Sequence, residues 1–432
     1  MPMSSESMSF YQIFESMGIN SEHVEKSNGG RPAHLPVSSL IAGLAWHVLQ
    51  PGGTFAYNVS MLTGTRLSES ALSERRQSLG TKPWLAALGV FLKHGTDPLL
   101  HPHAFYKKFR LVGVDGTSFS VANTPTIKAT TRKTKSRRGK AAFFRIGCVA
   151  AVVLGTHRPL AVRIGEDGES EGELASRIVD AFLENDLVIG DRYYGNGKWA
   201  VRFLTAPGSP SFLVRVQERL RAQIIQRLSD GSCLVKVKNP DTGEDIILRQ
   251  IKAKVRRRGG KWVKIRFWTN LLDHRIYPAN ELIPLYAMRW EQEIAFREIK
   301  EYLHGENLLL SHTTITAAQE ICALFMAQAV IATVRSDAAV KYDIPVMQVS
   351  FSRTLDACRY VCWLLSIAND IITPEQLLKI ADRAQQELVK QASTPRRKRG
   401  CPRQVRQPVN KWPRLMKNSY EKGEFEYGIR KS

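Results

Sequence analysis

Two short apolar runs, each followed at once by an aspartate, constrain the fold of this chain more than any other feature. Residues 110–114 (Arg-Leu-Val-Gly-Val) precede Asp115, and residues 186–190 (Asp-Leu-Val-Ile-Gly) precede Asp191. Short runs of this composition predict β-strands, and Gly116 lets the chain turn directly after the first acid. Either aspartate alone is more often a turn or cap residue. Acids at the carboxyl ends of strands in an open α/β sheet lie where ligands bind, so the shared context predicts a mixed-sheet α/β fold with a site at that edge.

A charged helix further along the chain supplies a third acid. At about 100° per residue, four side chains of residues 286–300 share a helical sector roughly 60° wide: Tyr286, Arg289, Glu293 and Lys300. An adjoining apolar stripe can pack on a core and contains Leu285, Met288, Phe296, Ile299 and Leu303. By itself, such a face is more often a solvated one with spaced ion pairs. The spacing alone therefore leaves both interpretations open.

The order of residues along this helix resembles a known signature. Tyr-x2-Arg-x3-Glu-x6-Lys, with Trp290 beside the arginine and Phe296 three residues after the glutamate, is similar to the hallmark of insertion-sequence transposases of the IS-4 family. The runs at Asp115 and Asp191 resemble the motifs of that family's two aspartates, and the resemblance covers about Phe109 to Val334. It implies a DDE transposase with an RNase-H-like core, a β-rich insertion and an N-terminal helical domain.

The resemblance also implies the chemistry. Asp115, Asp191 and Glu293 would be the catalytic, metal-binding acids, with Asp115 bridging two divalent ions about 3.5–4 Å apart. The expected metal is Mg²⁺, for which Mn²⁺ can substitute. Water would be the nucleophile for the first nick, and the freed 3′-hydroxyl would be the nucleophile for strand transfer. Gln292 stands where the family often has an apolar residue, but it lies off the predicted metal-facing side, so we expect little effect.

DNA contacts around the acids follow from the same resemblance. Arg289 and Lys300 would hold phosphates near the scissile bond, the arginine through two hydrogen bonds and the lysine as a point charge. Tyr286 would hydrogen-bond a phosphate or stack against a base. Arg192 and Arg297 are further candidates for DNA contacts.

Three regions are predicted along the chain. Residues 1–105 form an N-terminal helical DNA-binding domain and residues 106–394 form the catalytic domain. The basic segment 395–432 has too few apolar residues to fold alone, and we interpret it as a disordered tail that adds sequence-independent DNA affinity. Helical periodicity in the first region predicts four helices: Ser7–Met17, Val37–Val48, Leu67–Leu79 and Pro83–His94.

A segment of the N-terminal region has the pattern of a helix, a short Gly turn and a capped second helix. This segment spans residues 62–76. A helix-turn-helix would place Arg75 and Arg76 against phosphates or base edges. A plain helical hairpin explains the pattern equally well, so both interpretations stay open.

The β-rich insertion lies at about residues 211–275. Alternating apolar residues predict four strands in it: Ser211–Val216, Cys233–Val237, Ile246–Ile251 and Lys261–Trp268. Three consecutive arginines at one hairpin tip, Arg256, Arg257 and Arg258, are expected to contact DNA near the cleavage site. The alternative is a charged edge that prevents aggregation between sheets.

A local acidic stretch interrupts this basic chain. Residues 165–173 read Gly-Glu-Asp-Gly-Glu-Ser-Glu-Gly-Glu, and an amphipathic helix through Leu174 and Ile178 follows. These acids could be metal ligands. Acids at a helix start are already explained by the helix dipole, however, so we interpret the stretch as the beginning of a helix.

Charge and cysteine usage bound the partners and the compartment. The chain has 62 Lys and Arg against 40 Asp and Glu, a net charge of +22, which favours a polyanionic partner such as DNA. No apolar run is expected to be long enough to span a bilayer, so no membrane partner is predicted. The six cysteines form no CxxC pair, which supports neither a zinc module nor a disulfide framework. We expect a reduced, cytoplasmic, nucleoid-associated protein of bacterial type.

Together these features predict a DNA transposase. It would bind the terminal inverted repeats of its insertion sequence, cleave DNA and join the ends to target DNA, and the family leads us to expect a homodimer on paired ends. Two alternatives remain: a domesticated DNA-binding protein that no longer cuts, and a DDE-type nuclease without strand transfer.

Overall fold

The computed structural model describes most of the chain. It covers residues 35–50, 52–92, 95–131, 135–136, 139–165, 168–256, 262–305, 307–368 and 371–392. Several predictions lie outside the described residues: the helix Ser7–Met17, the tail 395–432, Arg257 and Arg258. For Arg256 the structure describes the backbone only.

Strands and helices alternate between residues 105 and 297, and helices make up most of the described residues before and after that range. The helices are α1 Val37–Leu49, α2 Phe55–Thr63, α3 Glu69–Leu79, α4 Lys82–Leu92, α5 Pro125–Thr130, α6 Glu171–Ile178, α7 Gly197–Thr205, α8 Ala279–Leu285, α9 Arg289–Arg297, α10 Thr314–Lys341, α11 Phe351–Ala368 and α12 Pro374–Lys390. The strands are β1 Phe105–Tyr106, β2 Phe109–Val121, β3 Lys135–Ser136, β4 Gly139–Lys140, β5 Phe144–Val153, β6 Arg158–Ile164, β7 Asp186–Gly190, β8 Ser211–Arg215, β9 Gln223–Arg227, β10 Cys233–Lys238, β11 Asp245–Arg256 and β12 Trp262–Thr269.

One mixed sheet organises the fold. Its strand order is β6-β5-β2-β7-β8-β12-β11-β10-β9, with β1 paired to β2 at the side. The pairs β6–β5 and β5–β2 are antiparallel, β2–β7 and β7–β8 are parallel, and the remaining pairs are antiparallel. The predicted mixed-sheet α/β class is therefore confirmed.

The insertion extends this sheet. Strand β12 pairs with β8, where Thr269 lies opposite Leu213, so β9 to β12 continue the sheet edge to edge. The four predicted strands are present, and the structure adds a fifth, β9, which sequence periodicity missed. All five residues of β9 are exposed, so it lacks the apolar alternation on which strand prediction depends.

Strand β2 differs from its prediction. The expected chain turn after Asp115 is absent, because β2 runs unbroken from Phe109 to Val121. Its partner β5 pairs with it along that length, and Gly116 lies opposite Val149. The long antiparallel pairing with β5 keeps the backbone of Gly116 extended, and the absence of a side chain there leaves space for Glu171.

The N-terminal helices share a hydrophobic core with elements of the central sheet and with α10. Trp46 of α1 and Trp84 of α4 belong to the same buried cluster as Ile146 of β5 and Phe325 of α10. The turn between α2 and α3 has the predicted form, since Gly64 ends α2 with a left-handed φ of 69° and the Ser68 side chain caps α3. The domain boundary near residue 105 stays a prediction.

Helix α10 corrects one expectation. Its 28 residues are long and apolar enough to cross a membrane by length and composition, so the prediction that no apolar run reaches that length was wrong. Within its candidate window, 94% of the residues are buried inside the protein. The helix therefore has the apolar surface of a core helix, packed on several sides by neighbouring elements.

Candidate active site

The register of two parallel strands brings the first two acids together. Gly113 of β2 lies opposite Ile189 of β7. Two residues further along each chain come Asp115 and Asp191, which therefore occupy equivalent positions at the carboxyl end of the parallel pair. This is the edge at which ligands bind in open α/β sheets.

The carboxyl group of Asp115 lies in a crowded and largely buried environment. Its Oδ1 accepts a hydrogen bond from the backbone N–H of Gly116 at 2.8 Å. Burial and the neighbouring charge of Asp191 raise the pKa of Asp115 to about 7. Asp191 is fixed differently, because its Oδ1 accepts the N–H of Tyr193 at 2.7 Å in a tight turn. The first acid is thus poised to exchange its proton near neutral pH.

Arg289 connects the third acid to this pair. Its Nη2 donates to Oε1 of Glu293 at 2.7 Å, and its Nη1 lies 4.0 Å from Oδ2 of Asp115. The guanidinium also lies over the Trp290 ring, 4.8 Å from the centroid. The glutamate side chain is 42% exposed, whereas the arginine is mostly buried. An arginine therefore lies between the glutamate and the first aspartate.

The residue before the third acid anchors its helix to the sheet. Gln292 is fully buried, and its Nε2 donates to the carbonyl of Ala150 on β5 at 3.2 Å. A Cβ at Gly113 would lie 2.7 Å from the Gln292 Oε1, so the glycine is what allows this close approach. The Gln292 side chain thus faces the sheet, where it sets the distance between the helix and β2.

The helix that carries Glu293 is not one regular α-helix, which corrects the prediction. Residues Tyr286–Met288 form a 3₁₀ turn, and Glu298–Leu303 form a π-helix. The wider turn of the π-helix is visible in the hydrogen bond from the His304 N–H to the Ile299 carbonyl, five residues earlier. The buried members of the predicted apolar stripe include Phe296 and Ile299, so the stripe is confirmed there.

The wider turn changes where Lys300 lies. Its Nζ is 5.6 Å from the ring centroid of Phe119 on β2. Phe119 is four residues beyond Asp115, which is about 13 Å along a strand. Tyr286 lies at the other end of the helix, where its ring packs 4.6 Å from that of Phe267 and burial raises its pKa to about 12. The four residues of the predicted face thus spread along the site instead of meeting at one point.

Comparison with known proteins shows the family to which this chain belongs. The family described as "Transposase DDE domain" matches residues 107–329, just over half of the chain. The chain belongs to this family of DDE transposases. It is 27% identical over 421 residues to the transposase InsG of insertion sequence element IS4 from Escherichia coli strain K12, covering 90% of this chain and 89% of that protein. The predicted kinship with IS-4 transposases, and with it a DNA-cleaving and strand-transferring enzyme, is confirmed.

A solved structure also resembles this transposase. It is a cryo-EM structure of the piggyBac transposase synaptic complex with hairpin DNA, with 8% sequence identity and a TM-score of 0.49. The match covers 89% of this chain and 86% of that one.

The charge around the transposase's acids includes a cation that the sequence analysis missed. Gly190 lies opposite Val214 in the parallel β7–β8 pair, so Arg215 follows at the register of Asp191. Its charge interacts with those of Arg192 and Arg289. The sequence pattern that could have predicted Arg215 is an apolar strand followed by a charged residue, which is the pattern that predicted Asp115 and Asp191.

The structure contradicts the prediction that Arg76 contacts DNA. The structure buries its guanidinium, which donates to Gln319 Oε1 at 3.0 Å and to the Thr316 carbonyl at 2.7 Å. It therefore ties α3 to α10 and cannot contact DNA in this packing. Its neighbour Arg75 and the predicted contact Arg297 are half-buried, and Arg297 lies 3.7 Å from Glu301.

Glu171 is a further acid at the site, and the sequence analysis assigned it only to a helix start. It is the first residue of α6. The position that a Cβ would occupy at Gly116 is 2.8 Å from Glu171 Oε2. Burial and the charge of Asp191 raise the pKa of the Glu171 carboxyl. No spacing within the chain links residue 171 to residue 116, so only tertiary packing reveals the contact.

The donor set suits a hard divalent cation. Within the part of the chain that the structure describes, no three His, Cys, Asp or Glu side chains form a preformed cluster for a metal ion. Mg²⁺ does not require one, because it is usually held by one or two carboxylates together with water and substrate phosphate oxygens. Asp115 and Asp191 supply such a pair, and their repulsion is the kind that a cation relieves.

Proposed function

We propose that Asp115, Asp191 and Glu293 are the catalytic acids of this transposase and hold its divalent metal ions. Transposases of this family generally use divalent metal ions. The observation that carries the assignment is the placement of three acids from distant parts of the chain. Two lie at one register of β2 and β7, and the third is linked to Asp115 through Arg289.

Each acid has a distinct part in this proposal. A bound divalent ion would lower the pKa of a water nucleophile and stabilise the leaving oxygen of the phosphodiester. Asp115 and Asp191 offer carboxylates fixed by the strand ends. To bind the metal, Glu293 must give up its hydrogen bond with Arg289. Its side chain is exposed, so it can move to do so. We infer Mg²⁺ as the metal, with Mn²⁺ able to substitute, because all the donors are oxygen atoms.

The cations next to the acids are proposed to hold the DNA backbone. Released from Glu293, the Arg289 guanidinium can donate two hydrogen bonds to a phosphate. Lys300 and Tyr286 flank it along the site, and Arg192 adds an exposed positive charge beside the second aspartate. We infer that this line of groups follows one DNA strand through the site.

Further assignments extend this proposal. Three adjacent antiparallel strands joined to two parallel ones, with helices on both faces, support an RNase-H-like core. We infer that terminal inverted repeats and target DNA are the substrates, that Arg75, Arg256 and Arg297 contact DNA, and that the enzyme acts as a homodimer on paired ends. The buried, free cysteines at 148, 233, 322, 358 and 362 support the proposed cytoplasmic location.

The test compares wild-type protein with Glu293→Gln on DNA that carries the ends of the element, in Mg²⁺ or Mn²⁺. We expect metal-dependent 3′-hydroxyl ends and joined products from the wild type, and neither from the variant, whose DNA affinity stays within a few-fold. Glu301→Gln, which removes a charge from an exposed position on the same segment, is the matched control and should cleave normally.

Three other results would contradict parts of the proposal. Binding without cleavage by the wild type would indicate a domesticated DNA-binding protein. Cleavage without joined products would indicate a nuclease. Cleavage by Glu293→Gln at the wild-type rate would remove this residue from the catalytic acids.

A further inference from the structure

A buried histidine contacts the helix of Glu293 on the side that faces away from the site. His157 is the last residue of the turn between β5 and β6, and it is fully buried. Its Nε2 lies 2.9 Å from Oε2 of Glu291, and its Nδ1 lies 2.7 Å from Oε2 of Glu298. Glu291 precedes Glu293 and Glu298 follows it along the same helical segment. The imidazole ring therefore links the sheet to this helix both before and after Glu293.

The two contacts require a positively charged ring. An ionised carboxylate only accepts hydrogen bonds, and a neutral imidazole has a single N–H to donate. Burial alone would lower the pKa of His157, but the charge of Glu298 and the hydrogen bonds to both glutamates raise it. Both ring nitrogens therefore donate, and the two hydrogen bonds are of the charge-assisted kind, which is stronger than the neutral kind.

The backbone of His157 is held in an unusual conformation. Its φ is 60°, in the left-handed region that residues other than glycine seldom adopt. Its N–H donates to the Val153 carbonyl at 2.8 Å, and its carbonyl accepts from Nε2 of Gln328 on α10 at 3.3 Å. Such a conformation is unfavourable and persists only where the surrounding structure enforces it. The turn thus holds the ring at a fixed point next to the helix.

Glu293 projects from the other side of the same helix. Seven residues make about two α-helical turns, so Glu291 and Glu298 share one face, and Glu293 lies roughly 160° around the axis from Glu291. The Glu293 side chain is exposed, whereas Glu298 is buried. A catalytic group must be held within about 0.5 Å of its working position. For an exposed side chain, that accuracy depends on how firmly the buried face of its helix is held.

We propose that His157 is a positioning residue for DNA cleavage: through Glu291 and Glu298 it fixes the helical segment from which Glu293 extends into the active site. The inference rests on the proposed function, because it takes Glu293 as one of the catalytic acids. A purely structural ion pair would contribute to folding stability alone. A positioning residue also sets the rate of the chemical step while DNA affinity stays unchanged.

The experiment compares the full-length wild type with His157→Asn on DNA that carries the ends of the element. Asparagine tolerates the left-handed φ, but its side chain is too short to bond both glutamates. Single-turnover cleavage should fall about 10- to 100-fold, the cost of a small misplacement of a catalytic group, while the Kd for DNA stays within about twofold. Without DNA or metal, hydrogen exchange measured by mass spectrometry should become faster over residues 289–303.

Arg249→Gln is the matched control for stability. Arg249 is also a fully buried cation in an ion pair, with Asp230, but it belongs to β11 of the insertion. This variant should lower the urea midpoint, as His157→Asn does. Its cleavage rate and its hydrogen exchange over residues 289–303 should stay within about twofold of wild type. Equal cleavage losses in the two variants would show that the loss follows from stability, and would overturn the inference.

Variants of Glu291 test the same link with less effect on folding, because this side chain is 19% exposed. Glu291→Gln keeps an oxygen that can accept the His157 N–H and should retain most of the cleavage rate, whereas Glu291→Ala should lose as much as His157→Asn. The double variant His157→Asn, Glu291→Ala should cleave no more slowly than the slower single variant, because both changes remove one interaction. Losses that multiply in the double variant would show that the residues act separately, against the inference.

Glu293→Gln separates this inference from the proposed function. No cleavage by Glu293→Gln, together with wild-type cleavage and hydrogen exchange in His157→Asn, would overturn the role of His157 alone. Wild-type cleavage by Glu293→Gln would overturn the catalytic assignment and, with it, this inference. Losses in Glu293→Gln, His157→Asn and Glu291→Ala, with a wild-type rate in Arg249→Gln, would support both.

Discussion

Replacing Glu298 by glutamine should destabilise the enzyme, because it removes a buried negative charge next to the helix that carries Glu293. Glu298 lies about 1.4 helical turns beyond Glu293 and is buried. Its Oε2 pairs with Nδ1 of His157 at 2.7 Å and its Oε1 with Nη1 of Arg335 at 3.3 Å. All three side chains are buried. Glutamine keeps the size of the side chain but leaves the two cations without this counter-charge.

The magnitude follows from the pKa of the carboxyl group. Burial alone would raise the pKa of Glu298, but the charges of His157 and Arg335 and their hydrogen bonds lower it from 4.5 to about 2. At about 1.4 kcal/mol per pKa unit, this corresponds to roughly 3 kcal/mol. Removing one partner of a buried ion pair typically costs about 3–5 kcal/mol. We therefore expect Glu298→Gln to lower the free energy of unfolding by about 3 kcal/mol near pH 6.

The assay is urea unfolding followed by tryptophan fluorescence, with Glu301→Gln as control. Glu301 lies on the same π-helix, is 46% exposed and is 3.7 Å from Arg297, so its loss should cost less than about 1 kcal/mol. Equal midpoints for the two variants would refute the reasoning, since the buried carboxylate would then contribute no more than the exposed one.

The same network predicts a pH dependence. The pKa of Glu298 is depressed in the folded protein, so its contribution is complete above pH 4.5 and is lost as the pH falls toward about 2. The difference in stability between wild type and Glu298→Gln should therefore shrink from pH 5 to pH 3. A difference that stays constant over that range would mean that the glutamate does not act through its charge.

Two further predictions concern the active site. Gly113→Ala should lower the free energy of unfolding by about 1–3 kcal/mol and reduce DNA cleavage, because the new Cβ would lie 2.6 Å from Leu154 Cδ2 and 2.7 Å from Gln292 Oε1. Gly147→Ala is the control. Its Cβ would meet nothing closer than 3.8 Å, so it should change neither stability nor cleavage. Burial and the charge of Asp191 raise the pKa of Asp115 to about 7, so protons should compete with the metal for this carboxylate. Mn²⁺ affinity should therefore be about tenfold lower at pH 6 than at pH 8. The same affinity at both pH values would contradict the raised pKa.

The amino-acid sequence by itself determined the local elements and pointed to the acids. Residues 186–190 form a buried strand because a continuous apolar run suits a strand covered on both faces. Ser170 and Glu173 form their capping box because the two residues have the required spacing on a helix start. The resemblance to IS-4 transposases added the proposed catalytic role of the three acids, which periodicity alone left open. These features depend on neighbours in the chain, so they can be read from it.

Only the tertiary structure decided which charged residues face the site. Arg76 and Arg192 are both arginines in polar segments, yet one is buried against α10 and the other is exposed beside Asp191. Glu171 reaches Gly116 because α6 packs over β2, and the helix of Glu293 widens to a π-helix where Glu298 meets its buried partners. The burial and the partners of a side chain depend on which distant segments pack against it, and residue spacing within one segment does not contain that information.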